Sequence, residues 1–114
     1  MLDAVCDGDV KKLAELIRQD PGFDVNMDQD GNGYTLLHYA CVEDTRSAAI
    51  PLLLAHPDIN VNAKSTNGET PFYYACYYGL PCCVREMLKD FRVKVNEPRN
   101  NGDTPLWHAL VWPP

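Results

Sequence analysis

The sequence predicts an all-α solenoid, in which antiparallel helix pairs stack in a row and are joined by β-hairpin-like turns. Three observations support this fold class: a ten-residue segment recurs three times, a Val-Asn pair precedes each copy, and an apolar helix end precedes each Val-Asn. The recurring segments begin at Asn32, Asn67 and Asn101, and their threonines are 35 and then 34 residues apart. A unit of this length cannot bury its apolar face alone, so consecutive units must stack.

Each recurring segment has the pattern of a tight turn followed by a helix start. Asn-Gly supplies the positive φ angles of a tight turn. Thr35, Thr70 and Thr104 then stand where a hydroxyl can cap a helix, a contribution of about 1 kcal/mol each. Pro71 and Pro105 follow at the first helical position, where the missing N–H costs nothing. A first helix is therefore expected directly after each threonine.

The second helix of each unit is predicted from apolar spacing. In the first unit, apolar residues at helical spacing predict a helix over Val10–Gln19. The later second helices are expected at about Ser47–Ala55 and Pro81–Lys89. Pro51 falls inside the earlier of these, which predicts either a bend or a late helix start.

Each recurring segment contains a variant of one hexapeptide, T-P-L-H-x-A, which begins at Thr35, Thr70 and Thr104. Together with the repeat length, this signature resembles the ankyrin family over essentially the whole chain. The resemblance implies an ankyrin-repeat solenoid that binds proteins, with no enzymatic activity and no cofactor. The family's histidine survives only as His38, so we expect aromatic packing by Tyr73 and Trp107 to replace its hydrogen bonding in the other copies.

The repeats divide the chain as a single ankyrin-repeat domain, residues 1–114. Residues 1–25 form an N-terminal capping repeat, 26–61 and 62–95 form two repeats, and 96–114 form a truncated repeat. Asp44 stands where the family usually has glycine. The short final unit predicts either a fragment of a longer protein or an improvised cap with a partly bare apolar face that invites self-association.

Charge and cysteine usage narrow the partner classes. The net charge is −6, and residues 1–33 carry eight acidic and three basic residues. An acidic end repels phosphate backbones, so a nucleic-acid partner is not expected. Five cysteines, an odd number with no paired C-x-x-C array, favour reduced thiols in the cytoplasm or nucleus. No apolar run long enough to span a membrane and no secretory leader is apparent.

No catalytic or metal-binding motif is apparent in the sequence. A phosphate-binding glycine loop, H-E-x-x-H and G-x-S-x-G are all missing. Cys41 and Cys76 hold equivalent places in neighbouring repeats, and we interpret them as small core residues. The alternative is a thiol pair or metal site with His38, whose place in the hexapeptide predicts a structural role. An enzyme built on these Cys and His side chains is a further alternative.

The resemblance also implies which residues face the concave groove. These are the residue before the motif's alanine, the residues before the usual glycine, and the tips of the hairpin turns. Carried over to this sequence, the candidate partner-binding residues are Tyr39, Tyr74, His108, Glu43, Tyr77, Tyr78, Asp28, Asp30, Lys64 and Arg99. They predict a groove with an acidic N-terminal end and an aromatic middle, suited to a protein partner with a basic segment. The alternative is that these tyrosines pack on the neighbouring repeat and the charges are merely solvated.

Two further hypotheses concern the chain as a whole. Asn62 stands where ankyrin-like repeats can be hydroxylated by an asparaginyl hydroxylase, in which case the repeats are a substrate. The chain can also be the targeting arm of a longer enzyme or regulatory protein.

Overall fold

Six α-helices form three antiparallel pairs in the computed structural model, which describes residues 2–105. The pairs are α1 (Leu2–Cys6) with α2 (Val10–Gln19), α3 (Leu36–Ala40) with α4 (Ala49–Leu54), and α5 (Pro71–Tyr77) with α6 (Pro81–Leu88). Helices α1, α3 and α5 contact one another in an inner row, while α2, α4 and α6 form an outer row. Residues 2–105 contain no β-strand. The predicted all-α stack is confirmed.

The core lies between the two rows of helices. Ala4, Ala40 and Ala75 occupy equivalent positions in α1, α3 and α5 and are at most 1% exposed. A small side chain at this position lets neighbouring inner helices approach closely. Larger apolar residues from both rows fill the space between them, among them Val5, Leu13, Leu37, Ile50, Leu53 and Met87.

The structure shows how the second repeat accommodates Pro51. Helix α4 begins at Ala49, two residues later than expected, after a short 3₁₀ turn over Asp44–Arg46. Pro51 is therefore in the first turn of α4, where its missing N–H has no intrahelical acceptor to lose. The alternative of a late helix start is the one observed.

Asp44, which stands where the family usually has glycine, has a structural role that the sequence pattern did not reveal. Gly8 and Gly79, which follow α1 and α5, have φ values of +67° and +63°, whereas no non-glycine among residues 2–105 has a positive φ. Asp44 instead begins the 3₁₀ turn, and its carboxylate accepts the backbone N–H of Cys83 at 3.3 Å. Cys83 lies in the first turn of α6, so Asp44 caps the outer helix of the following repeat.

Two kinds of helix start occur at the repeated threonines. The Thr70 hydroxyl accepts the backbone N–H of Tyr73 at 3.1 Å, as predicted for an N-cap. At Thr35 the start is a capping box with His38, in which the backbone N–H of Thr35 donates to Nδ1 of His38 at 3.0 Å. The helix predicted after Thr104 falls mostly on residues 106–114, which lie outside the described residues.

The hairpin turns stack edge to edge along the inner row. The backbone N–H of Thr66 donates to the carbonyl oxygen of Asn32, and that of Asn100 donates to the carbonyl oxygen of Asn67, both at 2.8 Å. Gly68 has φ +84°, and a Cβ there would lie 2.8 Å from the Asn100 backbone nitrogen. Glycine is therefore required here both by the backbone angle and by the closeness of the next turn.

The asparagines of the first two Val-Asn pairs, Asn26 and Asn62, each join two repeats. The Asn62 side chain donates from Nδ2 to the carbonyl oxygen of Arg92 at 2.9 Å and accepts the N–H of Lys94 at 2.8 Å. Asn26 makes the same pair of bonds, each of 2.7 Å, to the 58–60 loop. The recurring asparagine thus holds the loop that follows the next outer helix.

No helix within residues 2–105 has the length and hydropathy needed to cross a lipid bilayer.

Candidate binding face

The inner helices and the first hairpin turn line an open cavity between the second and third repeats. Its volume is about 250 Å³. We call it the tyrosine pocket, and its lining consists of Asp30, Tyr34, His38, Tyr39, Val42, Tyr74 and Tyr78. Four of the protein's six tyrosines are thereby gathered at one place.

The mouth of the tyrosine pocket combines a carboxylate with exposed aromatic surface. The Tyr39 hydroxyl donates to Oδ2 of Asp30 at 3.0 Å. Burial of the ring, together with this bond, raises the pKa of Tyr39, which keeps its hydroxyl protonated. Tyr78 is 50% exposed and stacks on Tyr74 with 6.0 Å between ring centroids. Asp30 and Tyr78 are therefore accessible to a partner.

The back of the tyrosine pocket is fixed by a buried carboxylate. Glu69 is 5% exposed, and its Oε1 accepts hydrogen bonds from the hydroxyls of Tyr34 at 3.2 Å, Ser65 at 3.1 Å and Tyr74. Its Oε2 lies 3.3 Å from the guanidinium of Arg99. Burial opposes ionisation of Glu69, but the hydrogen bonds and the Arg99 charge outweigh it and hold its pKa below the usual value. Glu69 is therefore ionised, and both of its carboxylate oxygens are bonded within the chain.

Tyr74 belongs to this back wall and is 9% exposed. Burial and the hydrogen bonds to Glu69 and Tyr34 raise its pKa, so the hydroxyl stays protonated. The two hydroxyls of Tyr34 and Tyr74 are 2.6 Å apart. Tyr74 thus shapes the pocket more than it offers free surface.

His38 ties the inner helix α3 to the next repeat. Because Nδ1 accepts the Thr35 N–H, the proton lies on Nε2, which donates to the carbonyl oxygen of Glu69 at 2.8 Å. The side chain is 1% exposed, and this burial lowers its pKa despite the bond to Glu69. The arrangement agrees with a structural role for His38.

The other sequence-predicted residues of the helix ends lie beside the pocket. Tyr77 is 36% exposed and contacts Tyr78 edge-on, with 5.1 Å between centroids. Glu43 is exposed and pairs with Arg46 at 3.6 Å. His108 lies outside the described residues, as do residues 106–114 of the half-repeat predicted to self-associate.

The charged residues of the turn tips are largely engaged within the chain. The Asp28 carboxylate accepts the backbone N–H groups of residues 30, 31 and 33 at 2.8–3.1 Å, so it shapes its own turn. Lys64 pairs with Glu97 at 2.7 Å. Arg99 pairs with Asp103 at 3.1 Å in addition to Glu69. Of the predicted charged tips, only Asp30 lines the tyrosine pocket.

The sequence reasoning missed Tyr34 and Glu69. Both occupy the position directly before the motif threonine, and Asp103 follows them in the next copy. A hydrogen-bonding side chain at this position in every copy is a signal that could have identified them. The structure shows the reason: this position points toward the neighbouring repeat, as the bond between Tyr34 and Glu69 demonstrates.

Cys41, Cys83 and Asn62 are engaged by packing or hydrogen bonds within the chain. All five cysteines are free, and Cys41 and Cys83 are fully buried. Burial raises the pKa of Cys76 to about 11 and, together with Asp44, that of Cys83 to about 12. Within residues 2–105 no cluster of three or more His, Cys, Asp or Glu side chains is arranged to hold a metal ion. Both the nitrogen and the oxygen of the Asn62 side-chain amide are hydrogen-bonded to the following loop. Hydroxylation of Asn62 stays a prediction. Intact-mass measurement tests it, because one added oxygen gives a species about 16 Da heavier.

The sequence is similar to part of several larger known proteins. Over 57 residues, which is 50% of this chain, the sequence is 44% identical to SMC5-SMC6 complex localization factor protein 1 from Bos taurus and from Homo sapiens. The protein of the same name from Mus musculus is 40% identical over the same length. The match spans only 5% of the length of these relatives.

A family model for ankyrin repeats in three copies matches residues 1–85 and 43–112. Together these matches extend over nearly all of the sequence, and the stacked helix pairs have the architecture that such repeats require. The chain belongs to the ankyrin-repeat family.

Proposed function

We propose that this chain is a protein-interaction module that binds a segment of a partner protein on its inner face, across the tyrosine pocket. The observation that carries the proposal is the pocket itself, an open cavity of about 250 Å³ with Tyr39 and Asp30 at its mouth. Tyrosine contributes a large contact area and loses little side-chain entropy on binding, which is why it is enriched at binding hot spots. Ankyrin repeats are in general protein-interaction modules, which agrees with this use of the face.

The charge distribution favours a partner segment that is basic. The acidic excess lies in the first 33 residues, which include Asp3 and Asp7 at the ends of α1 and Asp30 at the pocket. All three are exposed. Acidic groups on one side of a binding face accelerate association with a basic segment and select against acidic ones.

The relatives support a targeting role within a longer protein. Their printed name describes them as localization factors for a complex, and a protein that localises a complex has to bind other macromolecules. We infer that this chain supplies one such binding unit, and that it acts inside the cell, where its five thiols remain free.

A binding role also fits the placement of the reactive side chains. The ankyrin family is typically non-enzymatic. His38, Cys41 and Cys83 are buried, whereas His56, Cys6, Cys76 and Cys82 are partly exposed. From the general character of the family, we propose no catalytic activity for residues 2–105.

Affinity enrichment from cell extract, with quantitative mass spectrometry, tests the inner face. The test variant is Tyr39→Ala/Tyr78→Ala, because neither residue holds Glu69, unlike Tyr74. The matched control is Phe91→Ala, which removes an aromatic ring that is 96% exposed in the loop after α6. Circular dichroism confirms that each variant is folded.

We expect partners retained by the wild type to be lost with Tyr39→Ala/Tyr78→Ala and kept with Phe91→Ala. The opposite pattern, loss only with Phe91→Ala, would place binding on the outer row of helices. Identical partners for all three proteins would contradict a role for the inner face.

A further inference from the structure

The tyrosine pocket combines aromatic rings with one carboxylate and has no positive charge in its lining. Tyr78, which is 50% exposed, and the partly exposed Tyr39 contribute aromatic surface, and Asp30 contributes the charge. The lining contains no lysine or arginine, and its imidazole, His38, is engaged through both ring nitrogens. The electrostatic character of the pocket is therefore negative.

Asp30 has hydrogen-bonding capacity left for a ligand. Its Oδ2 accepts the Tyr39 hydroxyl at 3.0 Å, and its Oδ1 accepts the backbone N–H of Asn32 at 2.9 Å. A carboxylate oxygen has two lone pairs, so each oxygen can accept one more donor. The existing bonds fix the orientation of the carboxylate, which lowers the entropy cost of using it.

The same features discriminate between ligand classes. The ring faces of tyrosine attract cations, and a desolvated site strengthens that attraction. An anionic group would be repelled by Asp30 at the mouth of the pocket and by the ionised Glu69 at its back. A neutral apolar side chain would fill the cavity but cover Asp30 without giving it a partner, which costs free energy.

We propose that the tyrosine pocket receives one cationic side chain, a lysine or an arginine, from the partner segment. The cation lies against the rings of Tyr39 and Tyr78 and donates to Asp30. This inference rests on the proposed function, and it assigns a specific position in the partner segment to the pocket. The stacked Tyr74 and the buried Glu69 hold the back wall in place without contacting the charge directly.

A positional peptide library on the immobilised full chain tests the proposal. Each sub-library fixes one position as lysine, as its uncharged analogue norleucine, as arginine, or as its uncharged analogue citrulline. The readout is the ratio of peptide retained for each cation to that retained for its analogue. We expect a ratio of about 10 at one position on the wild type, with the lysine and arginine arms showing which cation is preferred.

Two pairs of variants locate that preference. Asp30→Asn preserves the acceptor for the Asn32 N–H and removes the charge, so the ratio is expected to fall about fivefold. Asp58→Asn removes the same charge from an exposed loop outside the pocket lining and serves as its control. Tyr78→Leu is expected to lower the ratio about threefold, and Tyr78→Phe to restore it, because the ring face is kept.

The outcomes separate this inference from the proposed function. Peptides retained with cation ratios near 1 would overturn the pocket inference and leave binding on the inner face intact. Cation ratios that persist in both Asp30→Asn and Tyr78→Leu would assign the preference to charges elsewhere and also overturn it. If the wild type retains no more peptide than Tyr39→Ala/Tyr78→Ala, both proposals fail.

Discussion

At the scale of the residue, one position of the hexapeptide shows how the interface between repeats tolerates change. His38 joins its repeat to the next through a hydrogen bond to the carbonyl oxygen of Glu69. Its counterpart Tyr73 is fully buried and stacks with Tyr77, with 6.2 Å between centroids. The Arg99 guanidinium lies 5.3 Å from the Tyr73 ring centroid. At the position of the family's histidine, Tyr73 thus has an aromatic stack within α5 and a cation–π contact with Arg99 of the next unit. Replacement of the hydrogen bond between repeats by aromatic packing stays a prediction, because Trp107 lies outside the described residues.

The buried His38 should make the protein less stable as the pH falls from 7.5 to 5.5, a range in which histidine titrates. Its pKa in the folded state is lower than the ordinary value because it is buried. The unfolded chain therefore binds a proton below about pH 6.5, before the folded chain does, and protonation pulls the equilibrium toward unfolding. Urea denaturation at several pH values measures the free energy of unfolding.

The control for this prediction is His38→Gln, which removes the titrating group. The variant is expected to be less stable at pH 7.5, because the bonds to Thr35 and Glu69 are disturbed, but its stability should vary less with pH. Equal pH slopes for the two proteins would show that His38 does not carry the dependence.

At the scale of the element, local sequence patterns predicted the bounds of the helices closely, and contacts between repeats account for the differences. Helix α2 has the predicted bounds, and α6 ends one residue earlier than predicted. The late start of α4 follows from Pro51 and from the 3₁₀ turn that Asp44 begins. The bond from Asp44 to the Cys83 N–H spans two repeats, so no pattern within one repeat could reveal it.

The stacked turns make a matched pair of glycine substitutions informative. Gly31 and Gly68 both have φ +84°, but a Cβ at Gly31 meets nothing within 4 Å, whereas one at Gly68 comes within 2.8 Å of the Asn100 nitrogen. Gly31→Ala should therefore cost only the strain of a positive φ, about 1 kcal/mol in the free energy of unfolding. Gly68→Ala should cost about 1–3 kcal/mol more, because the next turn must move.

Chemical denaturation of the two variants measures this difference directly. If Gly31→Ala and Gly68→Ala are equally destabilised, the turns are not held together as tightly as the bond between Asn67 and Asn100 indicates.

At the scale of the whole molecule, the stability of each repeat depends on its neighbours. Cys83 lies in α6 but approaches the carbonyl oxygens of Ala40 and Glu43 in the preceding repeat, at 3.5 Å each. Asn26 and Asn62 hold the loops of the repeats that follow them. Such bonds couple adjacent repeats, so we expect the described stack to unfold as one unit.

The buried thiols report this coupling. Cys41 and Cys83 should resist a thiol-specific reagent in the native protein and react over the same urea range in which the helical circular dichroism signal is lost. Mass spectrometry assigns the label to each cysteine, and the partly exposed Cys82 shows that the reagent is active. Labelling of Cys83 at lower urea than Cys41 would show that the third repeat separates first.

The binding face was predictable only in part. Repeat position alone identified Asp30, Tyr39, Tyr74 and Tyr78, which do line one pocket. It also selected Lys64 and Arg99, which pair with Glu97, Glu69 and Asp103. A repeat position states where a side chain stands on its own unit, but not whether a neighbouring unit supplies a counter-charge.

The sequence by itself determined the family, the order of the helices and the glycine turns, because repeat length, capping and turn angles depend on residues close together in the chain. Only the tertiary structure decided the tyrosine pocket, in which Asp30 and Tyr78 come from different repeats. The same holds for the burial of Glu69 beneath Tyr34, a contact across 35 residues of sequence. These features depend on how closely and at what angle one repeat packs on the next, and that geometry arises from the whole core between the two rows of helices.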